Sequence, residues 1–388
     1  MSGPLLRYLG RVMKTDTAHR LAVAELAPPP RLLLGPGPSN AHPRVLAAMA
    51  RTQVGHLDPY FLGLMDEIQE LLRYVFQTGN RLTVPISGTG SAGMEACVAN
   101  LVEPGDRLVV GCNGYFGGRL AEMASRYGGE VERLVRPWGE AFALDELAAA
   151  LARHRPAILG LIHAETSTGA RQPLEGVAEL CREHDCLLLV DTVTSLGGLP
   201  VHVDDWGIDA AYSGTQKCLS CPPGLGPVTF GQRASAKLAA RGSKVISWYL
   251  DLSLVLAYWG GERTYHHTAP ISMNYGLREA LRLVAEEGLE ERWRRHLATA
   301  EALWDGLGEL GLECHVDAEL RLPSLTTVRV PAGVDAGRVV KALLADYQIE
   351  IGGGLGELAG RVWRVGLMGY NSRRENVDRL LGALRRVL

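Results

Sequence analysis

The chain has 388 residues, of which 47% are hydrophobic and 21% are charged, a balance that is ordinary for a globular protein. This composition excludes disordered and fibrous classes, and the length predicts two domains. The net charge of −3 argues against nucleic acid as a main partner, because the arginine pairs at residues 294–295, 373–374 and 385–386 are too short to form a basic footprint.

Seven cysteines, an odd number, are scattered along the chain, which is typical of reduced thiols rather than of a disulfide framework. No stretch reaches the roughly 20 consecutive apolar residues of a membrane helix, and the N-terminus has no apolar stretch long enough for a signal peptide. The final Arg386-Val-Leu388 differs from the Ser-Lys-Leu peroxisomal address. We therefore expect a cytoplasmic protein that has no membrane partner.

The proline-rich start of the chain predicts an extended segment rather than a helix. Pro28-Pro-Pro30 restricts the backbone, so residues 1–31 are predicted to form an N-terminal arm; a terminus without fixed structure is the alternative. The next segment, Leu32-Leu-Leu-Gly-Pro-Gly-Pro-Ser39, predicts a rigid loop that can approach a ligand closely. Apolar spacing then predicts helices over residues 43–49 and 61–76.

A glycine-rich turn is the first candidate for ligand binding. Pro85-Ile-Ser-Gly-Thr-Gly-Ser-Ala-Gly-Met-Glu95 connects a predicted strand at residues 82–84 to a predicted helix at residues 94–101. The free N–H groups and the dipole at a helix N-terminus favour a phosphate. A lone glycine-rich turn is weak evidence, so this interpretation needs support from other residues.

The rest of the chain alternates between predicted strands and predicted helices. Strands are predicted at residues 107–111, 157–163, 186–191, 226–230, 325–330 and 362–367, and helices at residues 173–184, 274–307 with an interruption at Gly288, and 334–344. This alternation predicts an α/β fold with a mostly parallel, doubly wound sheet. We place a large domain at residues 32–285 and a smaller C-terminal α/β domain at residues 286–388.

Two strand ends carry the residues from which a chemistry can be predicted. Cys186-Leu-Leu-Leu-Val-Asp191 is a continuous apolar run that ends in a carboxylate, the pattern of a strand buried on both faces. Lys217 follows 26 residues later, after a short apolar strand, in Ala210-Ala-Tyr-Ser-Gly-Thr-Gln-Lys217. Ligands of open α/β sheets bind at this carboxyl edge. An amine that forms an imine and an acid beside a pyridinium nitrogen are what pyridoxal 5′-phosphate requires.

Arg364 interrupts the apolar strand Val362-Trp-Arg-Val-Gly366. A buried guanidinium is costly unless it is paired, and its planar set of donors suits the α-carboxylate of a substrate. An internal salt bridge with a core acid is the alternative. Gly352-Gly-Gly-Leu-Gly356 precedes this strand and lacks the spacing of a phosphate loop, so we interpret it as a mobile turn beside the substrate.

Three pairs of residues imitate metal or redox sites without the partners that such sites need. Cys218 and Cys221 have no second cysteine pair at ligand spacing, and Asp204-Asp205 precedes a Trp-Gly turn. The adjacent His266 and His267 are expected to point in opposite directions on an extended chain. We therefore predict no metal.

Taken together, six segments resemble the alanine–glyoxylate and serine–glyoxylate aminotransferases, which are class V, fold-type I pyridoxal-phosphate enzymes. The segments are Leu34-Gly-Pro-Gly-Pro-Ser39, Ser167-Thr-Gly169, Val190-Asp-Thr-Val-Thr-Ser-Leu-Gly-Gly198, Tyr212-Ser-Gly-Thr-Gln-Lys217, Tyr265-His-His-Thr268 and Trp363-Arg-Val-Gly-Leu367. The similarity runs from about residue 31 to the C-terminus in the family's order. It implies the fold-type I architecture.

The resemblance also implies which residues bind the cofactor: Ser87, Gly88, Thr89, Phe116, Ser167, Asp191, Val193, Gln216, Lys217, Tyr265 and Thr268. Phe116 and Val193 are expected on opposite faces of the cofactor ring, and several relatives have tryptophan where this chain has Phe116. Ser167 is expected to donate to the phenolic oxygen of the cofactor.

The remaining implied residues concern the substrate and the partner subunit. Arg364 is expected to bind the substrate carboxylate, with Gly37 and Ser167 bordering the substrate. Tyr265 and Thr268 are expected to reach the phosphate of the other subunit's cofactor, so that the active site exists only in a homodimer.

The predicted activity is transfer of the amino group of alanine or serine to glyoxylate by a ping-pong mechanism, with Lys217 and Asp191 as catalytic residues. Another amine donor, such as an aminophosphonate, is the nearest alternative. A cysteine desulfurase would need a reactive cysteine near the C-terminus, where only Cys314 follows Cys221. A nucleotide-binding dehydrogenase or a non-catalytic relative would not need Lys217.

Overall fold

A computed structural model describes residues 23–388. The chain divides into two units, one ending at Pro30 and one spanning Arg31–Leu388. In the first unit, residues 23–30 are exposed and contain no helix or strand, while residues 1–22 of the predicted arm lie outside the described part. No helix of the described residues is long and apolar enough to cross a membrane.

The strands of the described chain form one large sheet and three smaller ones. Their bounds are β1 Leu32–Leu33, β2 Leu82–Ser87, β3 Arg107–Cys112, β4 Glu130–Val135, β5 Ile158–Ile162, β6 Ala164–Glu165, β7 Ala170–Arg171, β8 Leu187–Asp191, β9 Ala210–Tyr212, β10 Leu225–Phe230, β11 Leu325–Arg329, β12 Ile349–Glu350, β13 Gly352–Gly353 and β14 Val362–Gly366.

The α-helices begin and end at the following residues: α1 Pro43–Met49, α2 Pro59–Phe76, α3 Gly90–Leu101, α4 Tyr115–Arg126, α5 Leu144–His154, α6 Val177–Glu183, α7 Gln232–Ala239, α8 Leu252–Trp259, α9 Ile271–Glu287, α10 Leu289–Glu309, α11 Ala336–Tyr347 and α12 Arg374–Val387. Short 3₁₀ turns occur at Ala318–Leu320, Gly356–Leu358 and Gly369–Asn371.

The large sheet has seven strands in the order β2-β10-β9-β8-β5-β3-β4. Its strands are parallel except β10, which runs antiparallel to both of its neighbours. The inner strands β5 and β8 are buried along their whole length, which explains why their sequences are apolar runs rather than alternating patterns. The α/β fold with a mostly parallel sheet is therefore confirmed.

Two separate hydrophobic cores fill the compact unit. The larger core surrounds the seven-stranded sheet and draws its residues from Val45 to Leu289. The smaller core lies around a three-stranded antiparallel sheet, β11-β14-β13, and includes Leu34 together with residues from Leu303 to Leu384. Strand β1 reaches this second core because it pairs in parallel with β12.

Several predicted boundaries differ from the structure. The helix predicted at residues 94–101 begins earlier, at Gly90, because the four small residues from Gly90 to Gly93 are also helical. Of the helix predicted at residues 173–184, only Val177–Glu183 is helical. The predicted interruption at Gly288 is confirmed, since this residue has φ of 82° between α9 and α10.

The predicted turn at residues 352–356 is partly wrong. Gly352 and Gly353 form strand β13, which pairs with Arg364 and Trp363 on β14. A Cβ atom at Gly352 would lie 2.5 Å from the Pro36 side chain, so the close approach of backbone to the Gly-Pro loop explains the glycine.

The topology brings the ends of distant segments to one edge of the large sheet. Strands β2, β3, β8 and β9 are parallel to one another, so Ser87, Cys112, Asp191 and Tyr212 all end at the same edge. The carboxyl edge of such a sheet is where open α/β folds bind ligands. Ser87, Asp191 and the start of the loop that carries Lys217 therefore lie along this edge.

Candidate active site

Lys217 lies in the loop that follows β9, and its side chain is buried, with 7% of the residue exposed. The Nζ atom donates to the carbonyl oxygen of Pro36. Ser39 ties the two loops together, because its hydroxyl donates to the Lys217 carbonyl at 2.9 Å and its N–H donates to the Gln216 carbonyl at 2.8 Å. Burial lowers the pKa of Lys217 to about 8, and the nearby Arg364 adds to this effect.

Gly37 lies against the lysine side chain. Its backbone has φ of +107°, and a Cβ atom there would lie 2.8 Å from Cδ and 2.9 Å from Nζ of Lys217. A Cβ atom at this distance would force the Lys217 side chain to move, and L-residues avoid this region of φ. The backbone conformation and the position of the lysine side chain therefore both favour glycine at this position.

Asp191 ends β8 and is 2% exposed. Its Oδ1 atom accepts a hydrogen bond of 2.8 Å from the Val193 N–H. Burial raises the pKa of the carboxyl to about 7, against the opposing effect of the Val193 N–H. The register of β8 and β9 pairs Asp191 with Tyr212, whose buried phenol has no hydrogen-bond partner in the described chain. The phenol also opposes the rise in the carboxyl pKa, as a nearby donor does. Because the phenol meets no hydrogen-bond geometry, we interpret this contact as proximity rather than a formed hydrogen bond.

The glycine-rich turn leads into α3 as predicted. Gly88 has φ of +156°, a Cβ atom there would lie 2.5 Å from the Ala92 Cβ, and its N–H is bonded to the Gly224 carbonyl. Thr89 is the N-cap of α3 and makes no side-chain cap, while its carbonyl accepts from the Ala92 N–H at 2.8 Å. The N–H groups of Gly90 and Ser91 keep their capacity to bind an anion. Ser87 Oγ lies 2.7 Å from His267 Nε2.

Phe116 belongs to the first turn of α4 and is half-buried. The guanidinium of Arg119, one turn further on, lies 4.8 Å from the centre of its ring. Val193 lies in the turn after β8, near the start of α3, where a Cβ atom at Gly90 would come within 3.3 Å of Val193 Cγ2. Phe116 and Val193 are thus each close to the N-terminal end of a helix, α4 and α3 respectively.

Glu165 is the functional residue that sequence analysis missed. It is fully buried; Oε2 accepts from the N–H groups of Phe116 at 3.0 Å and Gly117 at 3.3 Å, and Oε1 accepts from Ser167 Oγ at 2.6 Å. Burial raises its pKa, opposed by these hydrogen bonds. A buried acid that fixes a helix start can be recognised only from tertiary structure.

The geometry bears on the predicted role of Ser167. Its hydroxyl donates to Glu165 and accepts from the Tyr115 N–H at 2.9 Å. With the single hydroxyl proton directed to Glu165, donation to a cofactor oxygen would require this proton to turn. The contact with the phenolic oxygen stays a prediction.

Arg364 reaches the site from β14, with 6% of the residue exposed. Its Nε atom donates to the Gly353 carbonyl at 2.8 Å, and Nη1 donates to the Thr166 carbonyl at 3.2 Å. Among the described residues no acid forms a salt bridge with it, so the alternative of an internal ion pair is not supported. A buried guanidinium bonded only to carbonyls retains its charge for an anionic ligand.

The remaining predicted residues are divided between the site and the surface. Gln216, next to the lysine, has a buried Oε1 atom without a partner in the described chain. Tyr265 and Thr268 are exposed, and the ring centre of Tyr265 lies 5.3 Å from that of His56. Within one chain these two residues are therefore not brought together with Lys217.

The site fits pyridoxal phosphate on several independent observations. It holds a buried lysine, a buried acid on the neighbouring strand and an orphaned amide oxygen beside the lysine. It also presents an uncapped helix N-terminus on the same sheet edge, which suits a phosphate. These are the amine, anion and phosphate contacts that this cofactor needs.

The comparisons with known proteins agree with this geometry. Residues 32–380 match the family model of the class V aminotransferases. The chain is 48% identical to the alanine–glyoxylate aminotransferase of Mus musculus over 94% of this chain and 89% of that protein. It is 43% identical to the (S)-ureidoglycine–glyoxylate transaminase of Bacillus subtilis over 94% of this chain and 92% of that one.

Solved structures show the same similarity. An alanine–glyoxylate aminotransferase from Nostoc sp. superposes with a TM-score of 0.95 at 61% identity, covering 97% of this chain and 100% of that chain. The chain therefore belongs to the class V aminotransferases, and it is a transaminase that depends on pyridoxal phosphate. The predicted family, fold type, enzyme class and cofactor are confirmed, and its substrates are an amino acid and a 2-oxo acid.

We expect Gly37→Ala to reduce transaminase activity about 100-fold, since a misplacement of about 1 Å at a reacting group has an effect of this size. The added methyl group must displace the Lys217 side chain. Gly105→Ala is the matched control, because Gly105 also has a positive φ, of +88°, and nothing lies within 4 Å of a Cβ atom there. Steady-state rates of the two variants decide the matter, and equal rates would contradict the assigned contact.

We also expect Asp191→Asn to stabilise the cofactor-free protein at alkaline pH. With the carboxyl pKa at 3.8 in the unfolded chain and about 7 in the folded one, only the unfolded chain loses this proton between those values, so stability falls as pH rises. Asparagine cannot titrate.

Urea unfolding measured at about pH 5 and about pH 8 tests this expectation, because each unit of pKa difference corresponds to about 1.4 kcal/mol. The advantage of the variant should grow towards pH 8, by a few kcal/mol at most. An advantage that is the same at both pH values would show that the carboxyl is not destabilised by burial.

Proposed function

We propose that this transaminase moves the amino group of alanine, or of serine, to glyoxylate. The single observation that carries the proposal is the 61% identity, over nearly the whole chain, to a solved structure named alanine–glyoxylate aminotransferase. Relatives with the same name from mouse, rat and rabbit, at 47–48% identity, support it. The choice between alanine and serine as donor is left to experiment.

The proposed catalytic residues are Lys217 and Asp191. The described chain offers only three other lysines, of which Lys244 and Lys341 are exposed and Lys237 is paired with Asp106 at 2.9 Å. Lys217 alone is buried at the sheet edge, and its lowered pKa leaves a substantial fraction as the free amine at neutral to alkaline pH. Asp191 would supply the charge beside the cofactor's ring nitrogen.

The other proposed contacts to the cofactor are made by residues at or near the same edge of the seven-stranded sheet. Phe116 and Val193 would hold the two faces of the ring, and Ser167 would donate to its phenolic oxygen. Gln216 would contact the cofactor next to the lysine. Ser87, Gly88 and Thr89 would bind the phosphate together with the N-terminus of α3. The N–H of Gly88 is already bonded to Gly224, so its contribution would be the turn geometry rather than a donor.

The substrate would be held by Arg364, whose guanidinium has no carboxylate partner in the described chain. When bound, the cofactor withdraws electrons from the substrate and makes its Cα–H acidic. Lys217 Nζ would take up the proton from Cα as a general base and would then donate it in the following step as a general acid. Two half-reactions that share one binding site give ping-pong kinetics.

The homodimer and the shared active site belong to this proposal as well. Tyr265 and Thr268 are exposed although they flank His267, which contacts the phosphate turn of the same chain. Side chains in this position would extend towards the phosphate of a second subunit. The two hydrophobic cores support a division into the domains 32–285 and 286–388, and the seven free cysteines support a cytoplasmic location.

A different amine donor is the second candidate function. The Bacillus subtilis ureidoglycine–glyoxylate aminotransferase has a TM-score of 0.93 with this chain at 44% identity, so the same scaffold carries another donor name. The aminophosphonate alternative has no such support. The desulfurase-like structures, at 18% and 16% identity, show the fold alone.

The absorbance of the holoenzyme tests the proposed donor. A band near about 420 nm should shift to about 330 nm when excess L-alanine or L-serine is added, since the cofactor is then aminated. The amino acid that shifts the band at the lower concentration is the better donor. A shift with ureidoglycine but with neither amino acid would replace this proposal by the second candidate.

Arg364→Lys should raise the KM for the amino acid about 10- to 100-fold, because hydrogen bonds to a charged group contribute about 1.5–3 kcal/mol and the planar fork is lost. The matched control is Arg329→Lys on the neighbouring strand β11, where the side chain is exposed. An unchanged KM in the Arg364 variant would contradict the assignment of the carboxylate site.

A further inference from the structure

The two neighbouring histidines next to the phosphate turn are in contact with each other, contrary to the expectation that they point in opposite directions. His266 Nδ1 lies 2.8 Å from His267 Nδ1, and the rings are nearly perpendicular, at 89°. His267 Nε2 lies 2.7 Å from Ser87 Oγ, and His266 Nε2 lies 3.3 Å from the Trp248 carbonyl. These contacts form one continuous row of hydrogen bonds from Ser87 at the sheet edge to Trp248.

The group at the Trp248 end of this row of hydrogen bonds determines which nitrogen atoms of the two histidines carry protons. The Trp248 carbonyl can only accept, so His266 Nε2 must carry a proton to bond it. If both rings are neutral, His266 Nδ1 is then an acceptor and His267 Nδ1 must donate to it. His267 Nε2 is left as an acceptor, and the Ser87 hydroxyl must donate to it. The neutral arrangement therefore directs the Ser87 proton towards His267 and away from the position assigned to the phosphate.

The surroundings of the pair favour this neutral arrangement. Burial lowers the pKa of His267 to about 4, with further lowering by His266 and His56. The other titratable groups that face the pair are the phenols of Tyr249 and Tyr258, at 5.2 and 5.8 Å from the His267 ring centre. No carboxylate among the described residues forms an ion pair with either ring.

If a phosphate accepts the Ser87 proton, the hydrogen bond between Ser87 and His267 changes direction. Ser87 can then only accept from His267, so Nε2 must carry a proton. If every contact to Trp248 is kept, the pair holds one proton more than before, and the negative charge of the phosphate stabilises the added positive charge.

We propose that His267 and His266 form a proton-storing support for Ser87, so that the site gains one proton when the phosphate group of the cofactor binds. This inference rests on the proposed function, which assigns Ser87 to the phosphate. His267 is a positioning residue, because it acts through the Ser87 hydroxyl. Since the bound form holds the extra proton, affinity is highest at low pH and falls as the pH rises through the pKa of the bound pair.

The probe for a test is pyridoxine 5′-phosphate, which has the ring and the phosphate but no aldehyde to react with Lys217. Calorimetric titration of the cofactor-free protein at about pH 6 in two buffers of different ionisation enthalpy gives the number of protons taken up per site. His267→Gln is the conservative variant, because its amide donates to Ser87 from the Nε2 position without titrating. Comparison between proteins removes the contribution of the ligand's own ionisation.

We expect the wild-type protein to take up one proton more per site than His267→Gln, so that its affinity changes about tenfold more per pH unit. Ser87→Ala should lower the uptake to the same value, and the double variant should lower it no further. Nitrogen-15 shifts of the histidines in the wild-type protein report the same change directly, and they serve if a variant does not fold.

Equal proton uptake in wild type and His267→Gln, with histidine spectra that do not change on binding, would overturn the proposal while leaving the phosphate site intact. Failure of the wild-type protein to bind pyridoxine 5′-phosphate would overturn the phosphate site, and this proposal with it. Unmodified pyridoxine is the control, and it should cause no extra uptake.

Discussion

Burial of charged groups at one edge of the seven-stranded sheet is the constraint on which this structure depends. Lys217, Asp191, Glu165 and Arg364 are all at most 7% exposed, and none of them forms a salt bridge with another described residue. Burial shifts each pKa towards the neutral form, raising it for the two acids and lowering it for the two bases. Such an arrangement is costly by itself and becomes favourable when a ligand supplies the missing charges.

The supporting shell makes this arrangement rigid. Ser39 fastens the Gly-Pro loop to the lysine loop, and Glu165 fastens the start of α4 to the turn after β6. The small C-terminal sheet adds Arg364, whose guanidinium is oriented by the carbonyls of Thr166 and Gly353. Each charged group is therefore held by backbone contacts, which fix its position without neutralising it.

The parts of this site that could be predicted from the sequence are those with a local signal. Asp191 ends an uninterrupted apolar run, Lys217 follows a short strand with turn residues, and Arg364 is a lone charge within a hydrophobic strand. The strand order and the antiparallel β10 could not be predicted, because long-range pairing leaves no periodicity in the sequence. Glu165 escaped for the same reason, since the N–H groups of Phe116 and Gly117 that it binds lie 49 and 48 residues away. The contact between His266 and His267 was missed for another reason: the prediction assumed the alternating side chains of an extended strand, and these two residues lie in a loop.

The central claim is that Lys217 is the residue that binds the cofactor. Borohydride reduction of the holoenzyme fixes the cofactor to its lysine, and peptide mass spectrometry then locates it among the chain's five lysines. Our account predicts the pyridoxyl mass on the peptide that contains Lys217 and on no other peptide. The same mass on a peptide with Lys14, Lys237, Lys244 or Lys341, and unmodified Lys217, would contradict it.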